Sequence, residues 1–274
     1  MRIGHYQCEV LDGGYRANVG TVLRGLELAE KRGVDIVSFP ECCLTGYFDR
    51  EEPARRWALR VDGPEIRSFL EQSGHFRATC IVGFNELRGE ELWNTALVAA
   101  GGRLLGLYCK AFAYQRFHRK GREFPVFERA GVKFGVIICA DGGYVEPARI
   151  LALKGARILF APHYNYIGKD YLINHFQHVR SDHVARAVEN AVWFVRGNNI
   201  SPGRDPCQSY EGVGYGDSYV LDPFGEMVVR SRRHVEEFLH ADIDLETPYF
   251  RNDRNLRSAR ELAHLVVEAA RAQG

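Results

Sequence analysis

Apolar residues recur at helical spacing between Asn18 and Arg32, at Val19, Val22, Leu23, Leu26, Leu28 and Ala29, and Gly33 stops the pattern. That periodicity predicts an amphipathic helix with its apolar stripe toward a core. The chain continues Val34-Asp35-Ile36-Val37-Ser38-Phe39 into Pro40, a short β-rich run suited to a buried strand. Further β-rich runs lie at 79–84, 95–100, 104–108, 132–138, 158–161, 192–195, 218–221 and 238–243, with helix-like stretches at 65–72, 146–154, 182–190 and 257–271. Strands joined partly by helices and partly by short glycine-containing turns predict an α/β fold with mixed sheets. No Pro/Ser-rich linker, charge run or fixed-period repeat divides the chain. The reading is therefore one domain over residues 1–274, with 245–274 as a helical tail.

Composition narrows the function classes. The 274 residues carry 36 Lys and Arg against 35 Asp and Glu, a net charge of +1, which provides no field to hold a nucleic acid. Nowhere do about 18 apolar residues run together as a membrane span requires. The seven cysteines are irregularly spread, with no zinc-ribbon or thioredoxin-type spacing. A reduced, cytoplasmic setting follows, in which Cys8, Cys80, Cys109 and Cys207 read as small buried apolar residues.

Three strand ends carry candidate chemistry, because loops there bring distant side chains together on a rigid base. Cys139 follows the apolar run Val136-Ile137-Ile138 and precedes Ala140-Asp141-Gly142-Gly143, where a buried strand opens into a tight turn. Backbone amides in such a turn can face a substrate. Glu41 stands between Pro40 and the mostly apolar Cys42-Cys43-Leu44, where a carboxylate is costly to bury without a role or partner. Lys110 ends the run Leu107-Tyr108-Cys109. Taken singly, each also fits a bland role: a core thiol, a loop acid or partner for an arginine, and a solvated lysine.

The ordered set resembles the nitrilase superfamily of carbon–nitrogen hydrolases. The glutamate motif is Phe39-Pro40-Glu41 followed by Thr45-Gly46-Tyr47, the lysine motif Gly106-Leu107-Tyr108-Cys109-Lys110, and the cysteine motif Ile138-Cys139-Ala140-Asp141 followed by Glu146 and Arg149. Gly83-Phe84-Asn85-Glu86, Trp93-Asn94-Thr95-Ala96, Asn198-Asn199 and Asp222-Pro223-Phe224-Gly225 extend the likeness to about Ile243. The resemblance implies a four-layer α-β-β-α sandwich with two mixed β-sheets, usually a homodimer, acting on a small-molecule amide-type substrate without metal or organic cofactor. It also implies roles: Glu41 as base, Cys139 as nucleophile, and Lys110 with the backbone N–H of Ala140 as oxyanion donors. The expected reaction is hydrolysis of a linear amide or N-carbamoyl group through an acyl-enzyme. Nitrile hydrolysis, acyl transfer to an amine and a non-catalytic binding protein that keeps the fold are the alternatives.

The sequence departs from the family in two places. Members commonly carry a second pocket glutamate after the lysine, whereas the loop from Lys110 to Gly121 holds no acid. Tyr114 or Gln115 stands near that place, and Glu123 lies beyond the glycine, so these three are candidates to support Lys110. The usual large aromatic residue after the cysteine is replaced by Ala140. A polar aromatic stretch from Pro162 to Tyr171 is read as either a pocket rim, with His163 and Tyr164 touching substrate, or an ordinary surface loop. His175, His178 and His183 suggest a metal site less well than they fit a helix surface, since the five-residue step from His178 turns His183 off the shared face. Prolonged chelation is accordingly expected to leave activity unchanged, and a loss restored by zinc would revive the histidine cluster.

Overall fold

Gly33 adopts the left-handed conformation (φ 64°), and its N–H donates to the carbonyls of Ala29 and Glu30, so the predicted helix ends where the periodicity does. That helix, Tyr15–Arg32, buries Val19, Val22, Leu26 and Ala29. The computed structural model describes residues 1–201, 203, 205, 208–246 and 251–272, so Cys207 lies outside the described residues.

The first sheet has the spatial order Glu237–Asp242, Arg2–Gln7, Ile36–Ser38, Thr79–Arg88, Glu91–Ala100, Arg103–Cys109, with His118–Arg119 added beside the fifth strand. The second runs Met227–Arg230, Tyr219–Leu221, Trp193–Gly197, Ile158–Pro162, Val132–Val136, Val126–Arg129. Both mix parallel and antiparallel neighbours. Between the sheets lie Ile3, Ile36, Ile81, Val98, Phe134, Phe160 and Val195. Outside the first sheet, Val22, Leu26 and Phe69 from helices Tyr15–Arg32 and Pro64–Ser73 pack with Val37 and Phe84. Outside the second, Leu151 and Ala187 from Val145–Leu153 and Leu172–Asn190 pack with Leu159 and Phe194. The result is the α-β-β-α sandwich.

Several elements differ from the sequence reading. The helix expected from residue 182 begins at Leu172; its first two turns carry Leu172, Ile173 and Phe176 among polar residues but bury none of them, and its described buried residues are His183, Arg186, Ala187 and Asn190. The helical stretch expected over 257–271 is two helices, Arg251–Glu261 and Ala263–Arg271. Helix Glu51–Trp57 and the two-to-four-residue strands Val126–Arg129, Tyr166–Ile167, Ile200–Ser201, Val213–Tyr215 and Met227–Arg230 were too short to show a period.

Toward the strand ends the space between the sheets turns polar. His5, on the same face of its strand as Ile3, pairs its Nδ1 with Ser38 Oγ at 3.0 Å and its Nε2 with the Asn198 carbonyl at 3.2 Å. Gln7 donates to the carbonyls of Arg232 and Val235 and accepts from Ser218 and Ser231. His5 and Gln7 thus each find partners on another strand or loop.

Burial pushes His5 and His118 down to about 3, and His163 and His183 well below the usual imidazole value. Unfolded, each would take a proton near pH 6.5, so below that pH the unfolded chain binds more protons and stability falls as pH falls. Each histidine contributes about 1.4 kcal/mol per pH unit to that slope until its folded pKa is reached. Urea unfolding at pH 7.5, 6 and 5 is expected to show a steepening loss; a flat profile would mean these imidazoles are not neutral in the folded protein.

Candidate active site

Pro40 ends the strand Ile36–Ser38 and sends the chain between the two sheets. Glu41 follows, its backbone N–H donating to the His163 carbonyl at 3.2 Å. The turn after it is tight: Cys42 has φ 52°, and the N–H groups of Thr45 and Gly46 return to the Cys42 carbonyl. Gly83 lets this turn lie against the sheet, since a Cβ there would stand 2.5 Å from the Cys42 nitrogen. Glu41 is 1% exposed. Its Oε1 accepts from Lys110 Nζ and from Asn94 Nδ2, both at 2.7 Å, and its Oε2 from the backbone N–H of Tyr164 at 2.9 Å.

Lys110 is also 1% exposed. Its N–H donates to the Asn94 carbonyl and its own carbonyl accepts from Gly121 N–H at 2.8 Å, which pinches the loop 111–120 closed. Only glycine fits at that closure, because a Cβ on Gly121 would meet the Cys109 carbonyl oxygen at 2.0 Å. Burial draws the ammonium's pKa down, but the charge of Glu41, aided by Cys139, outweighs it and holds it well above the ordinary lysine value. Lys110 therefore stays cationic.

Cys139 takes φ 47°, a left-handed backbone position that few residues with a Cβ adopt, as strand Val132–Val136 gives way to the turn Cys139–Gly143. Its thiol is within hydrogen-bonding reach of Glu41, and burial first, then the Glu41 charge, push it up to about 12 against the opposing pull of Lys110. At neutral pH the resting sulfur is protonated, with a carboxylate beside it to receive the proton.

Asp141, quoted in the cysteine motif but given no role there, ties these segments together. Its Oδ2 accepts from Ile138 N–H at 2.9 Å and Tyr108 OH at 2.7 Å, and its Oδ1 from Phe112 N–H at 2.7 Å. Tyr108 and Phe112 flank Lys110 by two residues on either side, so one buried carboxylate fixes the lysine segment against the cysteine turn.

A cavity of about 510 Å³ opens on this cluster, lined by Cys139, Ala140, Gln115, Tyr47, Tyr144 and Asn165 among others. Tyr47 stacks on Tyr164 with ring centroids 4.9 Å apart, and Phe112 on Tyr144 at 3.6 Å. Ala140 is half-buried on the wall. The described lining holds no lysine or arginine, and its acid, Asp182, pairs with His178 at 3.3 Å. Burial raises the Asp182 carboxyl, against the opposing charges of His178 and Arg186.

The candidates for supporting Lys110 separate. Gln115 is half-buried in the cavity wall, Tyr114 stands exposed at its mouth, and Glu123 is exposed in another depression with Arg122, Pro125 and Lys154. Glu123 is thus not brought to the lysine, because the Gly121 pinch turns the chain outward before it. Residues 162–166 are buried and do not form a surface loop. His163 is 2% exposed with Nδ1 on the Ala161 carbonyl, and Tyr164 OH bonds Asp205; both line the cavity and also hold Glu41 through their backbone. Asn94, Asp141 and Asp182 were missed as site residues; an isolated polar residue within a strand or a polar helix turn carries no signal of its partner.

All three histidines lie on helix Leu172–Asn190 and border the cavity, His183 stacking on Phe194 and His178 exposed beside Asp182. Among the described residues no group of three His, Cys, Asp or Glu converges as a metal site. Arg186 and Glu189 form an ion pair at 2.7 Å on the helix. No helix among the described residues is long and apolar enough to cross a membrane.

The chain is similar to a glutamine-dependent NAD(+) synthetase from Thermotoga maritima, 30% identical over 271 residues, which cover 94% of this chain and 43% of that protein. It thus spans less than half that relative's length. It is 30% identical over 248 residues to an N-carbamoylputrescine amidase from Solanum tuberosum, covering 84% of this chain and 81% of the relative. Among solved structures, a carbon-nitrogen hydrolase from Helicobacter pylori G27 shares the fold with a TM-score of 0.81 at 24% identity, over 97% of this chain and 94% of that one. The model of the carbon-nitrogen hydrolase family matches residues 2–249, which take in both sheets and the whole cavity, and the chain therefore belongs to that family, the nitrilase superfamily.

Proposed function

We propose that the protein hydrolyses a small linear amide or N-carbamoyl compound through a thioester on Cys139. The observation that carries this reading is the meeting of Glu41, Lys110 and Cys139 at one buried point with a cavity opening on the sulfur. Because the thiol is held up near 12, attack is coupled to proton transfer: the S–H proton passes to Glu41 as sulfur bonds to the carbonyl carbon. The charge that develops on oxygen is met by Lys110 and by the N–H of Ala140. Glu41 returns the proton to the leaving nitrogen, the C–N bond breaks, and ammonia or an amine departs. Water then gives a proton to Glu41, attacks the thioester and releases the acid.

The cavity also bears on the substrate. A tyrosine- and histidine-lined wall with Asp182 and no cationic lining residue suits a neutral or cationic acyl part better than a carboxylate. Gln115, in this wall with its side-chain amide, is assigned to substrate contact in place of support for Lys110.

Incubation with a panel of amides, carbamoyl compounds and nitriles, read by mass spectrometry, is expected to show an acyl adduct on Cys139 from the first two. Cys139→Ala should fold normally and lose turnover by more than about 10⁴-fold. Residual turnover near wild type would sink the covalent mechanism, and adducts from nitriles alone would redirect the substrate class. Steady-state kinetics on the compound so found are expected to show Gln115→Ala raising KM several-fold with kcat within about twofold, and Glu123→Gln unchanged. A fall in kcat alone for Gln115→Ala would return that residue to the support of Lys110.

A further inference from the structure

Arg196 lies in the centre of strand Trp193–Gly197, 1% exposed, and its hydrogen bonds run to neutral acceptors. Nη1 donates to the carbonyls of Gly216 at 3.0 Å and Asp217 at 2.6 Å, and Nη2 to Asn165 Oδ1 at 2.6 Å and Tyr215 OH at 2.8 Å. The nearby carboxylate of Asp217 is engaged elsewhere, by Arg230, Arg180 and Arg233. A guanidinium donates and never accepts, and it keeps its charge at any ordinary pH. Burying it without a carboxylate is expensive, and core packing alone gives no reason for it.

Its reach into the site supplies one. Asn165 is 5% exposed, and its backbone N–H is held by Asn198 Oδ1 at 3.1 Å and Asn199 Oδ1 at 2.8 Å. Because Arg196 can only donate, the carboxamide oxygen of Asn165 must face it, and Tyr215 OH lies on the same oxygen at 3.3 Å. The other end of the amide is then the NH₂ group, and Asn165 Nδ2 points at Cys139 Sγ from 3.7 Å. The orientation of this amide follows from chemistry and needs no choice between oxygen and nitrogen.

We propose that Asn165 is a catalytic donor to the sulfur of Cys139, and that Arg196 is the positioning residue that orients and polarises it. The inference rests on Cys139 being the nucleophile. The N–H···S contact is weak while the thiol is protonated and strengthens as sulfur gains charge. In acylation that charge arises as the S–H proton leaves for Glu41. In deacylation it is larger, because water's oxygen bonds to the carbonyl carbon, the C–S bond breaks, and its electron pair stays on sulfur until Glu41 returns a proton. Glu41 and Lys110 are the charged groups that face the same sulfur, one opposing and one favouring its ionisation. Asn165 adds a neutral donor from the second sheet, backed by a cation that substrate does not contact.

Alkylation of Cys139 by iodoacetamide, with the modified residue located by mass spectrometry, reads the sulfur without any substrate. Asn165→Asp keeps the volume and the acceptor for Arg196 but turns an acceptor oxygen toward sulfur. It is expected to alkylate about a hundredfold more slowly than wild type, and Asn165→Ser about tenfold more slowly. Arg196→Gln should slow alkylation by a smaller factor, and in turnover should lower kcat with KM within about twofold. Should the Asp variant fail to fold, as judged by circular dichroism, the Ser variant carries the same test. Wild-type alkylation rates in the folded Asn165 variants overturn the proposal. A wild-type protein that alkylates at Cys139 but turns over no member of the amide panel would instead count against the proposed function and leave the donor assignment standing.

Discussion

The ion pair between Glu41 and Lys110, 2.7 Å apart and shut away from water, is the constraint on which the rest of the structure depends. Taking either charge out of water costs several kcal/mol, and their attraction repays this only if the remaining donors and acceptors are also met. The fold meets those of the carboxylate. Asn94 and the Tyr164 N–H complete the carboxylate, and the segments on both sides of Lys110 are bound to Asp141. Removing one partner would leave the other charge buried and unpaired, a loss of about 3–5 kcal/mol. On the proposed mechanism, a substitution of Lys110 or Glu41 therefore reports on stability and chemistry together, whereas one at Cys139 isolates the chemistry.

The sandwich explains how such a pair can be assembled. Glu41 and Lys110 leave strands of the first sheet, Cys139 and Asn165 follow strands of the second, and the two sheets face each other across a shared core. Along that core the packing changes from Ile3, Ile36 and Phe160 to His5, Gln7, Ser218 and Asn198, each hydrogen-bonded across the gap. The polar end of this layer borders the site. Such hydrogen bonds stiffen the layer, and rigidity at the ångström level is what the proposed nucleophile, base and cation require.

Electrostatics at the sulfur are balanced in a particular direction. Burial and Glu41 keep the resting thiol protonated, while Lys110 lies close enough to stabilise charge once it forms. On the proposed mechanism the cysteine stays in its inert form until a substrate carbon is in place, and the base that raises the thiol's pKa is the one that accepts its proton. The left-handed backbone of Cys139 (φ 47°) is a conformation that costs a residue with a Cβ some strain.

Much of this was legible in the chain. Periodicity located the helix Tyr15–Arg32 and most of the long strands, since a stripe facing one core leaves a period that does not depend on what it packs against. Glu41, Lys110 and Cys139 stood out because a charged or reactive residue beside a buried strand conflicts with its surroundings, and their order along the chain matched one family. Strands of two to four residues, and the unburied first turns of helix Leu172–Asn190, left no such period. Nor could the chain show that Asn94 completes Glu41, that Asp141 joins the lysine and cysteine segments, or that Gly121 turns Glu123 away. These contacts join residues 29 to 123 positions apart or depend on a single backbone closure, and a hydrogen-bond partner is chosen by where the sheets place it in space. The sequence by itself determined which residues could do chemistry and which faces had to be buried; tertiary structure alone decided which of them met, because only closing one sheet on the other brings their strand ends within bonding distance.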